Sequence, residues 1–473
     1  MFLLFDRKFR YNILQTGLVQ VLSLVSFVVL LVFVLPRFIS KPDLGLYVTF
    51  RALVASLFPL YTVALDIAQA RYLGYYAGNV EQQKQVTTTV LVSFFTVAIL
   101  STSILFLVKP FILYPFFDGQ VSLFYALMAA LIFSGTYRIS YTFFQGHKKM
   151  GWANVLQSTI FILGNLLVAV LIATGTINGI TEIVWFVALM PGISVLPFLY
   201  ILSTQWVKRF DFRKVLVYAL PRVPHLLMTG LIMSSGIMLA KYFYSNSLAG
   251  DFGIATRFFQ LAGTLAYAFN MVLLPGVSEL WGKGERKELA HSLSRYADLV
   301  MAAGTAAIFV FYAMGPYAIR WFLPSQYESG IPILQILAFA ALPYLFYLMF
   351  RSIIHGVDTR PVQVFVDLAR GTVLVVSFVL LNHFYPDFPA ATISVSLALS
   401  HLTAGFSSYG YITSRIGFHG KLSVWGVHLV LVLGLVLMAS FFTVPAIILF
   451  FMVEVGIVWY FFRNWQRKPV ISV

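Results

Sequence analysis

The chain has 473 residues, 60% of them hydrophobic and only 10% Asp, Glu, Lys or Arg, against roughly 25% charge in a soluble protein, which excludes a water-soluble globular fold. Each bilayer span takes about 20 apolar residues, so about fourteen spans leave only about 190 residues for tails and connections and no room for a sizeable domain outside the membrane. The 32 bases outnumber the 17 acids, a net charge of +15 that has to be read by position, and the absence of cysteine excludes disulfides and thiolate chemistry.

The first apolar run, 13–35, follows Arg7, Lys8 and Arg10 and carries no small-residue cleavage site, so it is expected to be a retained span rather than a signal peptide. Further runs fall at 47–70, 87–108, 119–142, 152–174 and 181–203, and then at 216–240, 249–276, 293–315, 331–353, 362–381 and 388–412. A last pair falls at 421–440 and 444–462. Runs this continuously apolar over about 20 residues predict helices, because barrel strands alternate over about 10. The expected fold is an all-α polytopic membrane protein with about fourteen transmembrane helices.

With the loops placed alternately on two sides, 22 bases fall on one side and five on the other: Arg37, Lys41, Lys109, Lys241 and Arg320. The base-rich side is therefore expected to be cytoplasmic, with both termini inside. The five remaining bases, Arg51, Arg138, Arg222, Arg257 and Arg370, lie within predicted helices.

The chain also repeats itself. FISKPDLGLYVTFRAL from Phe38 parallels FYSNSLAGDFGIATRFF from Phe243, with Gly45 and Gly250 205 residues apart. FFQGHKK from Phe143 parallels SIIHGVDTRP from Ser352, with Gly146 and Gly356 210 residues apart. Two similar offsets in the same order point to a duplicated six-helix unit. The expected organisation is a bundle over 1–210, a second over 211–415, and a helix pair with a tail over 416–473.

These segments, with LDIAQARYLGYYAGNVEQQ from Leu65, LLPGVSELWGKGERKEL from Leu273 and FLPSQYESGIPILQ from Phe322, resemble the polysaccharide branch of the multidrug, oligosaccharidyl-lipid and polysaccharide exporter superfamily, which includes O-antigen repeat-unit flippases. The resemblance spans both halves of the chain. It implies two six-helix bundles in a V around a cavity, alternating access, and passage of an isoprenoid diphosphate-linked glycan from the inner to the outer leaflet. It also implies a prokaryotic cytoplasmic membrane protein serving surface polysaccharide assembly, with a polysaccharide polymerase or other assembly proteins as partners. A monomer is expected, without nucleic acid, cofactor or metal.

An arginine in the hydrocarbon layer needs a counter-charge, a polar cavity or a route to the interface. Arg257 lies about eight residues into its helix, roughly 12 Å deep at 1.5 Å per residue, and Arg370 is comparably deep from the other side. Both are candidate ligands for an anionic diphosphate or acidic sugar. Arg51, Arg138 and Arg222 are shallower candidates. Asp367, three residues before Arg370, suggests either a packing salt bridge or an ion pair on the substrate path. Asp66 reads as an interfacial partner of Arg71 or as a protonatable coupling group, and His401 as a bundle histidine or a coupling group. Glu454 has no assigned role. Pro221 and Pro224, with His225 close by, suggest either a gate hinge or a static kink. The basic loops 204–214 and 279–290 either set topology or attract anionic lipid headgroups or the diphosphate before entry.

No HExxH, GxxxxGK[ST] or paired-carboxylate spacing is present, so an enzyme is not expected. Three functions stay open: a lipid-linked oligosaccharide flippase, which the bases inside both halves favour; an ion-coupled multidrug or small-molecule exporter; and a membrane enzyme of lipid-linked glycan transfer.

Overall fold

The structure, a computed structural model, describes residues 7–282, 284–358 and 362–417. The expected spans at 421–440 and 444–462, and with them Glu454, lie outside the described residues. All regular structure among the described residues is helical. In chain order the helices are α1 (Arg7–Val28, prolonged through a π turn at Val29–Val34 to Phe38), α2 (Lys41–Thr62), α3 (Leu65–Tyr75), α4 (Val80–Leu107), α5 (Lys109–Phe117) and α6 (Val121–Gly146). There follow α7 (Met150–Ala173), α8 (Ile180–Gln205) and α9 (Phe212–Phe243), then α10 (Asn246–Gly282) and α11 (Arg286–Phe309, prolonged through a π turn to Phe322). The last are α12 (Ile331–Ala338), α13 (Ala341–Val357), α14 (Val362–Phe384) and α15 (Pro389–Ile416).

Ten helices among the described residues are long and apolar enough to cross a membrane, or eleven if one bent pair counts as a single span. That pair is the expected run 331–353, which the structure breaks by 56° between Ser325–Ala338 and Ala341–Arg351. Large apolar side chains such as Leu100, Ile104, Leu107, Leu196, Phe365 and Phe406 stand exposed. Water would penalise that surface, whereas lipid accepts it, because each helix closes its own backbone hydrogen bonds.

The run 47–70 is also divided. Val63 and Ala64 adopt φ of +47° and +57°, a left-handed conformation that costs about 1–2 kcal/mol for a residue with a Cβ. The turn ends α2 just after Pro59 and redirects the chain into α3. Helix starts are fixed by short polar residues: the Ser40 and Asn79 side chains accept the Asp43 and Gln82 backbone N–H groups, and Asp211 accepts that of Lys214.

The chain packs as two compact units, residues 1–253 and from Ile254 onward. In the first, α2 is central and packs against α9, α6 and α4, with Tyr47, Phe50, Phe94 and Phe124 fully buried. Small residues allow the close approach: a Cβ at Gly230 would lie 2.7 Å from the Ala55 carbonyl oxygen. The repeat-related glycines meet at the start of α2 and α10. A Cβ at Gly45 would stand 1.8 Å from the Asn246 carbonyl oxygen, and one at Gly250 3.1 Å from that of Lys41. Gly253 abuts Val48 in turn, at 2.6 Å from the built Cβ. The pairs 41/246, 45/250 and 48/253 all share the 205-residue offset, so the junction is reciprocal, as a local two-fold relation between duplicated helices requires.

In the second unit α13 lies between α11 and α15. Cβ atoms at Gly304 and Gly405 would stand 2.4 Å from the Leu342 side chain and 2.7 Å from the Pro343 carbonyl oxygen. Leu289, Leu293, Phe350, Ile353 and Ile412 form the core at the end where α10 and α11 meet. At 37 residues α10 is roughly 55 Å long at 1.5 Å per residue, so it outruns the roughly 30 Å hydrocarbon layer.

Candidate functional site

In the first unit the α2–α3 turn places Asp66 in the first turn of α3, where the positive end of the helix dipole favours a carboxylate. Arg138 of α6 donates from Nε to Asp66 Oδ2 at 2.8 Å, and the Asp66 side chain is 7% exposed. Asp66 therefore pairs across two helices with Arg138, while Arg71 turns away to the Tyr218 ring, 4.4 Å from its centroid. Asp66 Oδ1 is buried without a hydrogen-bond partner. One turn on, Gln69 accepts from Thr142 at 2.8 Å, but its Nε2 donor is unsatisfied. These orphaned groups on one face of α3 are places for water or a ligand. Arg51 of α2, half-buried, lies over the Phe27 ring at 4.8 Å and has no carboxylate partner among the described residues.

At the base-rich end of α9, Arg222 donates to the Tyr218 carbonyl at 2.6 Å and stacks on the ring of the same tyrosine, 3.7 Å from its centroid. Pro221 sits in the 3₁₀ turn Leu220–Arg222, and Pro224 in the first turn of the helix that follows. The prolines thus mark a change of helical pitch. His225 is buried just beyond it.

In the second unit Arg370 is fully buried, and its Nε lies 3.0 Å from Asp367 Oδ1. Tyr347 of α13 donates to the same carboxylate oxygen at 3.0 Å, and its ring covers the guanidinium at 4.5 Å. Both terminal nitrogens of Arg370 lack a hydrogen-bond partner. Ser400 of α15 donates to the Arg370 carbonyl at 3.0 Å, and the adjacent His401 is buried between the Phe259 and Tyr344 rings, with Nδ1 unsatisfied. Arg257 donates to Gln260 one turn along α10. Asp251, upstream of Arg257, is paired with Lys41 at 2.9 Å.

Outside the spans, Lys241 and Asn246 both donate to the Asp118 carboxylate. Partial burial pushes the Asp118 carboxyl up, but these bonds and the Lys241 charge outweigh it and hold the group below its ordinary range. A polar seam between α1 and α7 was not anticipated from the sequence. Asn154 donates to Thr16 at 3.2 Å, Gln20 to Gln157 at 3.3 Å, and Ser26 to the Phe161 carbonyl at 2.8 Å. Its signal is polar residues at four- and six-residue steps inside an apolar run.

Two comparisons with known proteins bear on the fold. Residues 223–381 match the MatE family model. The lipid II flippase MurJ in an inward closed conformation superposes with a TM-score of 0.70 at 14% identity, over 97% of this chain and 100% of its own. The fold is that of MurJ and the MATE transporters. An inward-facing multidrug resistance MATE transporter of the MOP superfamily gives 0.66 at 14% identity, covering 85% of this chain and 94% of its own. The Vibrio cholerae MATE transporter VcmN, in mutant form, gives 0.61 at 15% identity, over 86% and 97%. No curated protein matches the sequence. The MATE-like and MurJ-like neighbours are transporters rather than enzymes, and the chain is a multi-pass membrane protein with a transporter fold.

Proposed function

We propose that the protein translocates an isoprenoid diphosphate-linked oligosaccharide repeat unit from the cytoplasmic to the outer leaflet, with the base-rich side and both termini in the cytoplasm. The observation that carries this reading is the guanidinium of Arg370, fully buried with both terminal nitrogens lacking acceptors. The carboxylate it meets among the described residues, Asp367, is shared with Tyr347. A buried donor fork of this kind is matched by phosphoryl or carboxylate oxygens. Arg51, without a carboxylate partner among the described residues, extends the anionic preference. The similarity to a lipid II flippase supports a cargo of the same chemical kind. In this reading Arg138 and Asp66 form a charge pair with one unsatisfied carboxylate oxygen for coupling, and Pro221 and Pro224 mark the hinge.

A second reading, an ion-coupled multidrug or small-molecule exporter, draws support from the MatE match over 223–381 and the solved MATE structures. Transbilayer movement of a fluorescent isoprenoid diphosphate oligosaccharide in proteoliposomes separates the two. Movement by the native protein, and its loss in folded Arg257→Gln or Arg370→Gln protein, is the expected result. Absence of glycan movement, together with ion-gradient-driven export of organic cations, would establish the second reading instead.

A further inference from the structure

The helices α3 and α9 bring three cations and three tyrosines into one cluster at the base-rich end of the first unit. On α9, Lys214, Tyr218 and Arg222 follow one another at four-residue steps and so share a face. Tyr72 on α3 and Tyr76 at its C-terminal cap are likewise four residues apart, with Arg71 beside them. The Tyr218 ring carries two guanidiniums, Arg222 at 3.7 Å and Arg71 at 4.4 Å. Tyr72 meets the same ring edge-on at 5.8 Å. The Lys214 ammonium lies 4.5 Å from the Tyr76 centroid and 5.7 Å from that of Tyr72, whose hydroxyl donates to the Lys214 carbonyl at 3.3 Å.

No carboxylate among the described residues pairs with these three cations, and the nearby acids are engaged elsewhere. Asp66 is held by Arg138, and Glu81 by Arg209 at 3.2 Å. Asp211 accepts the Lys214 backbone N–H at 3.1 Å. By contrast Lys41, Lys241 and Arg320, on the base-poor side, each meet a carboxylate. Three like charges on two adjoining helices, none in a direct ion pair among the described residues, repel one another and are drawn together by an anion. A guanidinium stacked flat on a ring still presents its N–H edge to phosphoryl oxygens, and nearby tyrosine faces suit sugar rings.

We propose that this cluster is the cytoplasmic docking site for the diphosphate of the lipid-linked cargo, engaged before the cargo reaches the buried arginines. The assignment rests on the flippase reading. A single phospholipid phosphate carries less charge than the cluster offers, which favours the diphosphate over a phospholipid headgroup.

The test measures binding of farnesyl diphosphate, farnesyl monophosphate and inorganic diphosphate to the full-length protein in phosphatidylcholine nanodiscs, with phosphatidylglycerol as a competitor. Arg71→Gln combined with Arg222→Gln is expected to weaken farnesyl diphosphate binding by about tenfold or more, as loss of charged hydrogen bonds predicts. Lys214→Gln alone, less exposed to folding defects, should weaken it severalfold. Arg209→Gln removes a more exposed charge that already pairs with Glu81, and is expected to leave binding unchanged. An equal loss in Arg209→Gln, or equal competition by phosphatidylglycerol, would reduce the cluster to a membrane-surface anchor. Tight native binding unaffected by either cluster variant overturns the docking site while leaving the flippase reading standing. No binding of any isoprenyl diphosphate by the native protein overturns both.

Discussion

Arg370 and Asp367 are the most completely buried opposite charges among the described residues, and their stability follows from what surrounds them rather than from Coulomb attraction alone. Removing one member of a buried pair strands the other and costs about 3–5 kcal/mol, whereas removing both is far milder. Arg370→Gln should therefore lower the thermal unfolding temperature in detergent sharply, and addition of Asp367→Asn should recover most of the loss. Equal or additive destabilisation in the double variant would contradict a coupled pair. The three-residue spacing made this pair visible in the sequence. The Tyr347 hydroxyl that shares the carboxylate was not visible, because it arrives from a helix twenty residues upstream. For the same reason local spacing paired Asp66 with Arg71, whereas tertiary packing gave it Arg138. At the other face Asp118 supplies a pH-dependent term. Its folded-state pKa is lowered from an ordinary value of 3.8, so its contribution is present above that value and lost as pH falls through the folded pKa. The difference in unfolding temperature between the native protein and Asp118→Asn should be visible at neutral pH and vanish well below pH 3.8. A gap independent of pH would exclude the charge as its cause.

At the scale of helices, apolar run length anticipated the ten or eleven membrane-crossing helices among the described residues, but their interruptions were hidden. Val63 and Ala64 lie inside an uninterrupted apolar run and carry no glycine or proline of their own, yet both turn left-handed. Packing of α3 against α6 and α4 overrides their local preference. The junction at Gly45 and Gly250 was legible in another way, as a repeat, although nothing in the repeat said that the two copies touch. The geometry there leaves no room for a methyl group. Gly45→Ala is expected to destabilise the protein by at least the roughly 1–3 kcal/mol of ordinary overpacking, because the obstacle is backbone rather than a flexible side chain. Gly17→Ala on α1, with open space around its built Cβ, is the matched control and should be neutral in the same unfolding measurement. Similar unfolding temperatures for the two variants would mean that the junction yields.

Across the whole molecule, composition and run length were enough for the helical membrane fold, because lipid leaves the backbone so few options. The division into compact units was less accessible. It falls after Gly253, inside a continuous helix, and the sequence marks no linker there. The docking cluster depends on α3 and α9 lying side by side, which neither segment encodes alone. The reciprocal junction of α2 and α10 has a practical consequence in a chain that contains no cysteine. Single cysteines at 41 and at 246, positions related by the 205-residue offset, put one reporter at the same station of each copy and leave both glycines untouched. The rates at which a thiol reagent alkylates the two gauge how far the copies have drifted from equivalence since the chain doubled.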